Sequence, residues 1–125
     1  FPKRPDEQGN MVPDTRVQLH CYSGSLELAR EYVKLGATFS IGGSLTFKNA
    51  RKTVEVLKGI PLEYIMSETD APFLAPEPKR GRANRSPYIE YTVRRMALLK
   101  SLDYEEAARI TSTNARRFFN IDSDR

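Results

Sequence analysis

An α/β fold built on a parallel sheet is what this sequence predicts, and three observations carry the prediction. Short apolar or alternating runs at 16–21, 37–41 and 64–69 are separated by stretches with helical apolar spacing. Strand, helix, strand, helix, strand, helix implies parallel pairing through right-handed crossovers. The third run, Tyr64-Ile65-Met66, passes directly into Glu68-Thr69-Asp70 and then Ala71-Pro72. Pro72 disfavours helix at Ala71, so acidic residues sit at the carboxyl end of a strand, where chemistry is placed in α/β folds.

Residues 1–15 hold Pro2, Pro5, Pro13, Gly9 and Asn10 and read as a polar loop or arm, ahead of a folded unit over 16–125. Arg16 to Cys21 alternates apolar and polar and predicts the first strand. Ser25 suits an N-cap and Glu27 a first helical turn, with Leu28, Tyr32 and Leu35 as the apolar stripe and Gly36 as the stop. Ala37 to Ile41 predicts the second strand, ended by Gly42-Gly43. Phe47, Ala50, Val54 and Leu57 form the next stripe, closed by Gly59, with Lys48, Arg51 and Lys52 on an ordinary solvated face. Residues 71–87 form a long loop with Pro72, Pro76, Pro78 and Pro87. Ser86-Pro87 resembles an N-cap followed by proline at the first helical position, opening a helix lined by Ile89, Val93 and Met96. Asp103 and Glu106 suggest a capping box for a last helical region, with a break near Ser112, reaching Phe118-Phe119.

The strands carry an apolar face (Val17, Leu19, Cys21; Ala37, Phe39, Ile41) and a face with polar groups (Gln18, His20; Thr38, Ser40; Glu68, Asp70). Buried parallel strands are usually apolar on both faces. The polar face is either the wall of a lumen leading to a metal or a sheet face open to water. Glu68 and Asp70 point the same way along the strand, which fits a metal or acid/base pair or, alternatively, an exposed turn with incidental acids.

The 125 residues suggest one domain at most. No segment is apolar over membrane-spanning length, so no membrane partner is expected. One cysteine, Cys21, excludes an internal disulfide and fits a reducing, cytoplasmic setting. A formal net charge of +4 permits an anionic partner without naming one. The start at Phe1 suggests processing or a piece of a longer protein.

Five segments together resemble the TatD family of metal-dependent hydrolases. They are His20-Cys21-Tyr22-Ser23-Gly24-Ser25, SIGGSLTFKNA at 40–50, IPLEYIMSETDAPFLAP at 60–76, Arg80-Gly81-Arg82 with Asn84 and Pro87, and TSTNARRFF at 111–119. The resemblance runs from about Val17 to Ile121, and Tyr22 replaces the family's usual phenylalanine. It implies a TIM-type (β/α)8 barrel, of which these three strands with their helices would be the C-terminal part, because a whole barrel takes about 250 residues. The family's remaining metal-binding histidines and its bridging glutamate would lie upstream, since His20 is the single histidine.

The resemblance further implies a metal-binding role for His20 and, for Asp70, a metal-binding and catalytic role in orienting or deprotonating the attacking water. It implies divalent metal ions, two of them, as Mg, Mn or Zn. It implies phosphodiester hydrolysis, a 3′–5′ deoxyribonuclease acting on DNA, performed together with the missing N-terminal half of the barrel. Lys79, Arg80, Arg82 and Arg85 follow Asp70 and either hold substrate phosphates or form a solvated loop. Glu68 supports Asp70, acts as a base of the loop, or pairs with Arg80 or Arg82, the last being the plainer expectation. Cys21 reads as a small buried hydrophobe, and Tyr22 and Phe73 as core residues or base-stacking platforms. Two alternatives remain: a non-catalytic binder of nucleic acid, and a structural half-barrel whose oligomeric state the sequence leaves open.

Overall fold

The computed structural model describes residues 3–13, 17–69, 71, 73–119 and 121. Three parallel strands form the central sheet: β3 (Val17–Leu19), β4 (Ala37–Ile41) and β5 (Ile65–Ser67), in the order β3-β4-β5. The register pairs Leu19 with Phe39 and Phe39 with Ile65, so one row of side chains on the helix-facing side is apolar across all three strands. Four helices accompany them: α1 (Leu26–Lys34), α2 (Arg51–Gly59), α3 (Ile89–Lys100) and α4 (Tyr104–Phe119). Strand order and crossovers match the expected α/β unit.

The core is the apolar sheet face closed by helices. Phe39, Ile41, Leu45, Val56, Leu57, Ile60, Ile65 and Met96 are almost fully buried in one cluster. Burying each such side chain contributes about 1.5–3 kcal/mol. Helix α4 is tied beneath β5 by Asn114, whose buried amide donates to the carbonyls of Leu62 (2.7 Å) and Ile65 (2.8 Å). Those two carbonyls lie at the start of, and just after, a 3-10 turn (Leu62–Tyr64) that leads into β5. Lys100 closes the other end of α2, its ammonium donating to the carbonyls of Lys58 (3.2 Å) and Ile60 (2.7 Å). Partial burial there pushes its pKa down.

Several expectations change. Residues 3–13, read as a loop or arm, form an antiparallel hairpin of β1 (Lys3–Pro5) and β2 (Met11–Pro13). Asp6 closes its turn: the side chain accepts from the N–H groups of Gln8 (2.9 Å) and Asn10 (2.8 Å). Leu28 and Leu35 are exposed, whereas Leu26, Ala29, Tyr32 and Val33 face the core, so of the expected stripe only Tyr32 lies on the buried side. The stretch before α2 is a 3-10 turn (Gly43–Thr46), so Phe47 and Ala50 precede the helix. Ser86 makes no cap; it opens a 3-10 turn (Ser86–Tyr88) that runs into α3. Helix α4 is continuous through Ser112, where Thr111 folds its hydroxyl onto the Ala107 carbonyl.

The loop after β5 is held down from below. Gly43 is buried directly under it: a Cβ there would overlap the Leu74 carbonyl and the Pro76 nitrogen, so only glycine admits this close approach. Thr46 then accepts the N–H of Glu77 at 2.7 Å.

Candidate metal-binding site at the strand ends

The carboxyl ends of β3 and β5 meet through one carboxylate. Glu68 follows β5, and its side chain is 10% exposed. Its Oε1 accepts the backbone N–H of Cys21 (2.5 Å) and the hydroxyl of Ser40 (2.6 Å). Its Oε2 lies 2.7 Å from Nε2 of His20, at ion-pair distance although not aligned as a hydrogen bond. A buried carboxylate is costly without such partners, so these contacts decide where Glu68 can sit. The backbone supplies two further constraints. Cys21 adopts a positive φ of 52°, a strained turn that aims its N–H at Glu68. Gly42 leaves room beside Glu68, whose Cγ and carbonyl would stand 3.3 Å from a Cβ.

This arrangement corrects the expected role of Glu68 as partner of Arg80 or Arg82. Arg80 instead lies over the Phe47 ring, 3.9 Å from its centroid, and Arg82 is exposed. Glu68 sits at the strand end because the Cys21 N–H, just after β3, and the Ser40 hydroxyl on β4 converge on its Oε1 there. From this position Glu68 could orient the His20 ring. With Nε2 facing Glu68, Nδ1 is the nitrogen left to meet a cation. The His20 side chain is 62% exposed, so the ring fits that role.

Asp70, expected as metal ligand and catalytic residue, lies outside the described residues. Its flanks are described. Asn84, 4% exposed, donates from one amide nitrogen to the carbonyl of Thr69 and to that of Phe73 at 2.8 Å. One side chain thus staples both shoulders of the segment that contains Asp70. Among the described residues, no three His, Cys, Asp or Glu side chains gather into a complete ligand set.

The other expected residues separate. Lys79 sits 5.8 Å from the Tyr88 ring centroid, and Arg80, Arg82 and Arg85 are exposed on the same loop. Tyr22 is not a stacking platform: it packs edge-on against Phe39 at 4.9 Å and donates its hydroxyl to Ser25 at 2.8 Å. Burial, and then Tyr32, push its phenol pKa up. Phe73 is 67% exposed and remains available. Cys21 is half-buried and serves through its backbone. Sequence reasoning noticed Ser40 on the polar face without a partner, and left Asn84 inside a motif without a role; only the fold brings their partners within reach.

Comparison with known proteins places the chain in one family. The family described as TatD related DNase matches residues 6–120. The chain is 48% identical over 103 residues to YabD of Bacillus subtilis (strain 168), an uncharacterized metal-dependent hydrolase, covering 82% of this chain and 40% of the relative. It is 43% identical over 110 residues to TatD of Mycobacterium tuberculosis, also an uncharacterized metal-dependent hydrolase, covering 88% and 41%. The crystal structure of YJJV, a TatD homolog from Escherichia coli K12, superposes with a TM-score of 0.77 at 30% identity, over 84% of this chain and 40% of that one. A hydrolase of the TatD family from Entamoeba histolytica shares the fold with a TM-score of 0.68 at 19% identity, over 82% and 42%. The chain therefore spans about 40% of the length of the curated relatives it matches.

Proposed function

Because this chain belongs to the family of TatD-related DNases, we propose that it forms part of a divalent-metal-dependent hydrolase that cleaves phosphodiester bonds, a 3′–5′ deoxyribonuclease. The observation that carries the reading is the His20–Glu68 contact at the carboxyl ends of β3 and β5. In barrel folds that end holds the reacting groups. His20 would offer Nδ1 to a cation, and Glu68 would fix the ring. Asp70 would be the second ligand and would orient the attacking water.

When bound, divalent cations supply a nucleophilic water at neutral pH and offset phosphate charge. The chain's own part is positional. Cys21 N–H and the Ser40 hydroxyl hold Glu68, Glu68 holds His20, and Asn84 holds the segment around Asp70. The exposed cations Arg80, Arg82 and Arg85, with Lys79, would contact phosphates of a DNA strand and set its register without reading its sequence. Oxygen and imidazole donors suit Mg, Mn or Zn alike.

The chain by itself is expected to hydrolyse negligibly, because its relatives extend well beyond the part it covers, and to bind nucleic acid in a salt-sensitive way. The test joins residues 17–121 to the upstream part of the Bacillus relative and measures cleavage of single-stranded DNA with Mn or Mg. Cleavage that is lost on Asp70→Ala is the expected outcome. Cleavage unchanged by Asp70→Ala contradicts the reading.

A further inference from the structure

Helices α2 and α3 leave a groove between them, with a cavity of about 680 Å³. Helix α2 faces it with Arg51, Val54, Glu55 and Lys58. Helix α3 faces it with Tyr91, Arg94, Arg95 and Leu98. In both helices these positions recur at the spacing of a single helical face. Lys100 of α3 donates to the Lys58 carbonyl of α2, so the two helices end together and run the same way. The groove therefore follows both for two turns, about 10 Å. Arg51 and Tyr91 mark one end, Lys58 and Leu98 the other.

The lining is of two kinds. Val54 and Tyr91 are half-buried and Leu98 is 68% exposed, which makes an apolar strip. Around it stand Lys48, Arg51, Lys58, Arg94 and Arg95, against Glu55 and Glu77. Arg51 meets Glu55 at 3.4 Å and Arg94 meets Glu90 at 2.7 Å, exposed pairs that hold their cations weakly. Lys48, Lys58 and Arg95 have no ion-pair partner among the described residues. Cations gathered around an apolar strip suit an anion that brings flat apolar surfaces of its own. A single nucleic-acid strand does so, with phosphates along its backbone and base faces free to stack. A duplex would offer the groove only its phosphates.

The groove also continues from the loop after β5. Glu77 and Thr46 both line it, and the Glu77 N–H bonds the Thr46 hydroxyl. Arg80 lies over the ring of Phe47, another lining residue, at 3.9 Å. Lys79 lies 5.8 Å from the Tyr88 ring, which is 6.1 Å from the ring of Tyr91. Two cation–aromatic contacts thus join the loop cations to the groove.

We propose that the groove between α2 and α3 is an exosite for single-stranded nucleic acid. Its cations hold backbone phosphates, and Tyr91 stacks a base. The proposal rests on the phosphodiesterase reading above, which places the scissile linkage at the His20 rim. The groove would hold a more distant stretch of the same strand.

The experiment titrates a fluorescent oligothymidylate of about 16 nucleotides, with phosphorothioate linkages, against the 125-residue chain. Anisotropy is followed over a range of salt concentrations. Lys58→Gln combined with Arg95→Gln should weaken binding about tenfold. The same pair should flatten the logarithmic salt slope by about 1.4, at about 0.7 for each lost phosphate contact. Lys34→Gln combined with Lys52→Gln removes equal charge outside the groove and should leave the slope unchanged. Tyr91→Leu should weaken binding about fivefold without altering the slope, whereas Tyr91→Phe should bind as wild type does.

Equal losses from the two double variants would mean that net charge alone acts, and would overturn the exosite. No loss with Tyr91→Leu, or displacement by polyglutamate as effective as by unlabelled oligothymidylate, would make the groove a site for acidic peptide and overturn the strand assignment. Binding weakened by Arg80→Gln but not by the groove pair overturns the exosite while the phosphodiesterase reading stands. No binding by wild type overturns the exosite and the phosphate-contact role of the loop together. The phosphodiesterase reading is decided separately, by the Asp70→Ala cleavage assay.

Discussion

The two faces of the small parallel sheet are built on different principles. The helix-facing side is a row of Leu19, Phe39 and Ile65, apolar across all three strands and continued by Ile41 beside Ser67. Burial alone fixes it. The opposite side carries Ser40 and, just beyond the strand ends, His20 and Glu68. Here burial opposes the residues present, and the structure holds only because one carboxylate gathers an N–H, a hydroxyl and an imidazole. The first face explains why the chain folds. The second has no folding rationale of comparable weight, which is why it reads as the functional one.

Substitutions can sharpen that contrast. The largest expected effect is on the apolar face: Phe39→Ala should cost about 3–5 kcal/mol in urea unfolding. Asn114→Ala, which unties α4 from β5, should cost about 1–3 kcal/mol by leaving two buried carbonyls unpaired. The smallest stability effect belongs to the polar face: Ser40→Ala should cost about 0.5–1.5 kcal/mol while displacing the resonances of His20. Should Ser40→Ala destabilise as much as Phe39→Ala and leave His20 unmoved, the two faces would not differ in kind.

What the sequence made legible follows the same division. Ala37–Ile41 and the helices around Val54–Leu57 and Val93–Met96 were readable because apolar periodicity reports burial, and burial builds that side. The Ser25 cap was readable because its partner lies three residues away. Misreadings arose where the deciding partner is remote or the pattern is ambiguous. Glu68 finds Cys21 and Ser40 across 47 and 28 residues, so its nearer arginines looked like better partners. Leu28 and Leu35 fit a helical stripe as well as Ala29 and Val33 do, and only the sheet decides between them. The prolines near Phe1 hid a hairpin whose real signal is Asp6 with Gly9 and Asn10. The resemblance to TatD proteins supplied His20 and Asp70 as proposed ligands; the fold added Glu68 beside His20 and Asn84 on the carbonyls of Thr69 and Phe73.

His20 is the only histidine, so its ring gives a unique NMR signal, and that signal tests the central claim most directly. The measurement is paramagnetic broadening of the imidazole resonances as Mn²⁺ is added to the chain, compared with Asp70→Ala and Glu68→Gln. The account predicts that His20 broadens before exposed carboxylates such as Glu105, and that both substitutions delay it. Broadening of His20 no earlier than Glu105, or unchanged by Asp70→Ala, would contradict a metal site at the strand ends.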